Sequence, residues 1–149
     1  MKRLDPNLVN APIVIVDDDQ DDQFLIQRIL QKLGVSAPLH FFDNGQLALE
    51  YLVNTKEQTF IIISDINMPV MNGLELRREI NLNESLRRKS IPFVFYSTAA
   101  RMKDVNAAYD MTVQGFFVKE ADLGSMEDAI ETIFTYWTKC RHPNSKAKA

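Results

Sequence analysis

The chain has 149 residues, a formal net charge of -3, 46% hydrophobic residues and 25% charged residues. That is enough for one domain with a sizeable core, and the acidic balance excludes nucleic acid as the main partner. No apolar run reaches membrane-spanning length, no signal-peptide stretch opens the sequence, and Cys140 is the only cysteine, which excludes an intrachain disulfide and a cysteine metal site. A reducing cytoplasm is the expected compartment.

Residues 1–12 are polar with two prolines and read as an N-terminal tail. Ile13-Val14-Ile15-Val16 follows, a continuous apolar run that predicts a buried strand and ends in Asp17-Asp18-Asp19. Asp21 and Asp22 suit the positive end of a helix. That helix is marked by Leu25/Ile26, Ile29/Leu30 and Leu33 and is stopped by Gly34. Pro38-Leu39-His40-Phe41 starts with proline and alternates, the pattern of an edge strand. Asp43 or Asn44 then caps a second helix carrying Leu47, Tyr51 and Leu52.

Phe60-Ile61-Ile62-Ile63-Ser64 predicts a third strand. It ends in Asp65, which opens the turn-rich run Asp65-Ile66-Asn67-Met68-Pro69-Val70-Met71-Asn72-Gly73. A third helix with Leu76 and Ile80 begins near Gly73, and the polar, basic residues 81–90 read as a long loop. Ile91 to Tyr96 predicts the fourth strand, Met102, Val105 and Tyr109 a fourth helix, and Phe116 to Val118 the fifth strand. Met126, Ile130, Ile133 and Trp137 mark a fifth helix with Ser125-Met126-Glu127-Asp128 as its cap. The expected division is a domain over residues 13–140 and a polar C-terminal tail over 141–149.

Strand and helix alternating five times imply an α/β fold, a parallel sheet with helices on both faces. Functional sites of such sheets lie beyond the carboxyl ends of the strands. Those ends carry Asp17-Asp18, Asp65, Ser97-Thr98 and Lys119. Carboxylates gathered there repel and raise one another's pKa, a cost that a bound cation relieves. Taken singly, each residue has an ordinary reading: a solvated strand end, a loop start, a surface lysine, a core phenylalanine. In order and on one rim they specify a site.

These motifs resemble the receiver domain of bacterial two-component response regulators, and the likeness runs from Ile13 to about Trp137. Asp17-Asp18 resembles the family's acidic pair, and Asp65 in Asp-x-x-Met-Pro-x-x-x-Gly its phosphoacceptor. Ser97 stands at its hydroxyl position, Phe116 at its switch aromatic and Lys119 at its lysine. The resemblance implies a three-layer, flavodoxin-like, doubly wound five-stranded sheet of order 2-1-3-4-5. It implies Mg2+ held by Asp18, Asp65 and the carbonyl of Asn67, with Asp17 acting through a metal-bound water. It also implies that Asp65 takes a phosphoryl group from a sensor histidine kinase or His-phosphotransfer protein. Ser97 and Phe116 then switch a face built from the fourth helix, fifth strand and fifth helix, where a downstream protein or a second copy docks. The implied function is a stand-alone phosphorelay switch, not an enzyme in the ordinary sense. The sequence departs from the family pattern where Glu120 replaces the usual proline after Lys119, and Phe116 lacks the hydroxyl of the more frequent tyrosine. Thr98 is larger than the small residue often found there, and Ala99 with Asn67 flanks the site.

Two rival readings use the same residues. A haloacid-dehalogenase-type phosphatase would use Asp17 of Asp17-Asp18-Asp19 as its nucleophile, but Gln20 stands where that family has a small turn residue. A pseudo-receiver would bind partners without phosphorylation; the intact carboxylates, Ser97 and Lys119 argue against it. His40 and His142 lack ligand-spaced partners and read as incidental, Arg87-Arg88-Lys89 as a solvated loop, and Trp137 as core.

Overall fold

The computed structural model describes residues 3–143. The elements in order are β1 (Ile13–Val16), α1 (Gln20–Leu33), β2 (Leu39–Phe42), α2 (Gly45–Asn54), β3 (Ile61–Ser64) and α3 (Gly73–Leu82). They continue with α4 (Glu84–Arg88), β4 (Phe93–Ser97), α5 (Met102–Asp110), β5 (Gly115–Val118) and α6 (Leu123–Lys139). All neighbouring strands pair in parallel, in the order β2-β1-β3-β4-β5. The fold is therefore the flavodoxin-like, doubly wound sheet that the resemblance implied.

Strand alternation sends successive side chains to opposite faces and so builds two cores. Ile13, Ile15, Ile61, Ile63, Val94 and Tyr96 face α1 and α6. Val14, Val16, Ile62, Phe93 and Phe95 face α2, α3, α4 and α5. The residues of β1, β3 and β4 are fully buried, whereas those of the edge strands β2 and β5 are only half covered. Thus β5 differs from the expectation of a strand covered on both faces; no strand among the described residues pairs beyond it.

Two local expectations are corrected and a third is narrowed to one of its two alternatives. Residues 81–90 hold a helix, α4, where the sequence suggested a loop. Asn83 ends α3 and caps α4 by accepting from Leu86 N at 3.0 Å, and Leu86 is buried. One apolar anchor in a polar decade is too weak a periodicity to read. The last helix starts earlier than its expected cap: Asp122 is the N-cap, accepting from Ser125 N at 2.9 Å and from the Ser125 hydroxyl at 2.8 Å. Asn44, rather than Asp43, caps α2.

The terminal segments are packed where they are described. Val9 is buried in the α1/α6 core, Leu4 packs against it, and Leu4 N donates to Leu33 O at 2.7 Å. At the other end His142 is buried, stacks on Phe60 with ring centroids 4.4 Å apart, and donates from Nε2 to the Phe60 carbonyl. His142 is therefore a packing residue, and burial holds its pKa below the usual value. The rest of the expected tails, residues 1–2 and 144–149, lies outside the described residues.

Arg77 ties the α3 and α5 layer together. Its guanidinium is buried and donates to Met111 O and Thr112 O, both at 3.1 Å, and its Cζ lies 5.3 Å from the Phe93 ring centroid. A cation at the carboxyl end of α5 satisfies carbonyls the helix leaves unpaired and opposes its dipole. Arg77→Met takes a charged donor from each carbonyl and leaves them only the side-chain donors of Asn81, Thr112 and Gln114. It should lower stability by about 2 kcal/mol, seen as a lower urea midpoint at unchanged slope.

Candidate functional site

A parallel ladder brings every strand end to the same edge, and here the ladder runs on into the functional residues. Asp17 N donates to Phe42 O at 2.9 Å, Asp65 N to Val16 O at 2.8 Å, and Lys119 N to Ser97 O at 2.8 Å. The backbone of three site residues is thus fixed by the sheet, which is firmer than placement on a loop.

The side chains converge from there. Lys119 Nζ lies 2.7 Å from Asp17 Oδ2, 2.9 Å from Asp22 Oδ2 and 3.4 Å from Asp65 Oδ2. The other oxygen of Asp17 accepts from Asp19 N at 2.9 Å. The two oxygens of Asp65 differ. Oδ1 accepts from the Ser97 hydroxyl at 2.5 Å and from Ile66 N at 2.7 Å, whereas Oδ2 has only the longer Lys119 contact among the described residues. Ser97 is aimed by its neighbour: Ala99 N donates to Ser97 Oγ at 3.1 Å, which leaves the hydroxyl proton for Asp65.

The Met-Pro loop needs its glycine. A Cβ on Gly73 would lie 2.0 Å from the carbonyl oxygen of Asp65 and 2.8 Å from the Phe95 ring, while Gly73 N donates to Ile66 O at 2.8 Å. The loop can fold back under Asp65 only where no side chain stands. On the far side of Phe95 lies Phe116, half-buried, with ring centroids 5.8 Å apart.

Asp17, Asp18 and Asp65 offer carboxylate oxygens that all lie within 4.8 Å of one another. An all-oxygen set of this kind suits a hard divalent cation. Asn67 is exposed two residues beyond Asp65 in the same loop, and Thr98 and Glu120 are exposed on the rim. Thr98, Glu120, Asp22 and Lys119 line one open cleft of about 480 Å³. No peptide bond is cis among the described residues, so Lys119-Glu120 is trans.

Asp22 is the residue that sequence reasoning assigned to the helix dipole alone. A signal for it did exist: Asp22 precedes Ile26 by one turn and so stands on the buried stripe of α1 with Ile29, Leu30 and Leu33.

Burial pushes the Asp17 carboxyl up to about 6, against the opposing Lys119 hydrogen bond and charge. Burial alone would lower Lys119, but its bonds to Asp17 and Asp22 outweigh that and hold it above the usual lysine value. Lys119 is therefore charged at every physiological pH. An acid whose pKa is raised by folding binds its proton more tightly in the folded chain. Its contribution to stability is present below the unfolded value and is lost as pH rises through about 4 to about 6. Asp17→Asn should therefore gain thermal stability relative to the wild type across that interval, measured in EDTA.

The comparisons with known proteins cover the stretch of chain that builds this rim. The model of the response regulator receiver domain matches residues 13–131, and the chain belongs to that family. Response regulator Rcp1 of Synechocystis sp. is 28% identical over 130 residues, 84% of this chain and 87% of that protein. The crystal structure of the phosphorylated cyanobacterial phytochrome response regulator RcpA superposes with a TM-score of 0.83 at 27% identity, over 91% of this chain and 100% of that one. The Mn2+-bound form of Rcp1 gives 0.78 at 25% identity, over 93% and 99%. Receiver domains are signalling switches rather than ordinary enzymes, working between histidine kinases and downstream effectors. Neither the phosphatase nor the pseudo-receiver reading finds support in these likenesses. No helix among the described residues is long and apolar enough to cross a membrane.

Proposed function

We propose that this chain is a cytoplasmic, stand-alone switch, centred on residues 13–140, whose phosphoacceptor is Asp65. The observation that carries the reading is the asymmetry of its carboxylate. Ser97 and Ile66 N hold Oδ1 in place, while Oδ2, the less committed oxygen, faces the ammonium of Lys119. A positioned carboxylate is a nucleophile toward phosphorus.

In the step itself, Asp65 Oδ2 bonds to phosphorus as the nitrogen–phosphorus bond of the donor phosphohistidine breaks, and the leaving imidazole takes up a proton. Asp18 and Asp65, with the Asn67 carbonyl and Asp17 through water, are the residues that would hold Mg2+. Bound there, the ion offsets the negative charge of the incoming group. The Ser97 hydroxyl hands its hydrogen bond from Asp65 to one phosphoryl oxygen, and Lys119 neutralises another. The same groups then serve the slower attack of water. Thr98, Ala99, Asn67 and Glu120 flank the path that water takes, and so bear on the lifetime of the acyl phosphate.

Movement of Ser97 toward the phosphoryl group shifts the balance of the Phe116 ring, which packs on Phe95 behind it. The face so altered is α5, β5 and α6. Tyr109 and Val118 are exposed apolar residues on its elements, and the outer edge of β5 pairs with no strand among the described residues. A downstream protein or a second phosphorylated copy docks there. A sensor kinase or His-phosphotransfer protein approaches α1 and the rim. Neither nucleic acid nor membrane is part of the reading.

With Mg2+ and acetyl phosphate the chain should gain one phosphoryl mass. Asp65→Asn should gain none, Lys119→Gln should label at least about 100-fold more slowly, and EDTA should abolish labelling. Intact-mass spectrometry reads all four. Labelling that survives in Asp65→Asn and disappears in Asp17→Asn would restore the phosphatase reading.

A further inference from the structure

An ammonium has three protons to donate, and Lys119 has a carboxylate near for each. Two of these, Asp17 and Asp65, belong to the oxygen cluster suited to a cation. The third, Asp22, does not. It lies 2.9 Å from Nζ, its side chain is 18% exposed, and the first turn of α1 fixes its backbone, with Asp22 N donating to the capping Asp19 at 3.2 Å. The ammonium also lies 5.5 Å from the centroid of the Tyr96 ring.

Consider Lys119 without Asp22. Its remaining carboxylates both serve the cation, Asp65 directly and Asp17 through water, so a cation entering the cluster must compete with the ammonium for each. A lysine pushed off them would be a buried charge with no partner, an expensive state. Asp22 removes that conflict. It keeps one proton of Lys119 engaged and, with the Tyr96 face, holds the ammonium at the rim after Asp17 has turned away.

We propose that Asp22 is a positioning residue that acts through Lys119: it anchors the ammonium so that Asp65 is free to ligate a divalent cation and Asp17 to hold its bound water, and the positive charge stays in place for the phosphoryl group. This inference rests on the metal-assisted reading above.

The test follows Mn2+ binding to the full chain by the electron paramagnetic resonance signal of the free ion. Asp22→Asn preserves side-chain size on the same helix and should raise the dissociation constant about fivefold, equivalent to about 1 kcal/mol. Asp21→Asn makes the same charge change on an exposed neighbour and should stay within about twofold. In a Lys119→Gln background the effect of Asp22→Asn should shrink to less than about twofold. Unchanged affinity in Asp22→Asn overturns the proposal. So does an equal loss in Asp21→Asn, or a loss undiminished on Lys119→Gln, since either makes Asp22 a bare charge. A wild-type chain that binds no Mn2+ fails differently: it removes the metal-assisted reading and this inference with it.

Discussion

The rim depends on one cation. Asp17 is only 2% exposed and sits beside Asp65 and Asp18, an arrangement of like charges that burial makes more costly still. Lys119 makes it tenable by donating to Asp17, Asp22 and Asp65 together. The lysine is itself almost fully buried, so removing either side strands charge on the other. Such a cluster costs stability, and the sheet beneath it carries that cost.

That sheet supplies rigidity in a specific way. Three of the site residues take their backbone positions from ladder hydrogen bonds, and a fourth, Ser97, is the last residue of β4. Below the rim the contacts run on without a break. Asp65 rests against Gly73, Gly73 against Phe95, and Phe95 against Phe116 on the edge strand. A change of charge at Asp65 therefore meets packed atoms all the way to the α5-β5-α6 face, the contiguity that coupling between distant sites requires.

Much of this was legible in the sequence, for a physical reason. Parallel strands buried on both faces are written as continuous apolar runs, so their ends are visible, and Asp17, Asp65 and Ser97 stand at those ends; Lys119 follows the short apolar run of the edge strand β5. The edge position of β2 was visible in Pro38 for the same reason. What could not be read depends on single contacts made across the fold. Arg77 looks like any helix arginine until Met111 and Thr112 are seen to present carbonyls to it. His142 lies in a polar tail, yet the stacking surface of Phe60, 82 residues away, makes it core. Helix α4 has one buried residue, Leu86, and one residue sets no period. Asp22 carried a faint signal in its phase on α1, hidden because acidic residues near a helix start already have a sufficient explanation in the dipole.

The hydrogen bond from Ser97 to Asp65 has a consequence for how steeply the switch responds. The hydroxyl already points at the Asp65 carboxylate, held there by Ala99 N. In the proposed reading, phosphorylation of Asp65 would exchange one Ser97 hydrogen bond for another instead of creating one where none stood, so that this contact adds only the difference between the two. By thermodynamic reciprocity, a protein that binds the responsive face draws the rim toward its reactive form by the same amount. The receiver is then as much addressed by its target as by its kinase.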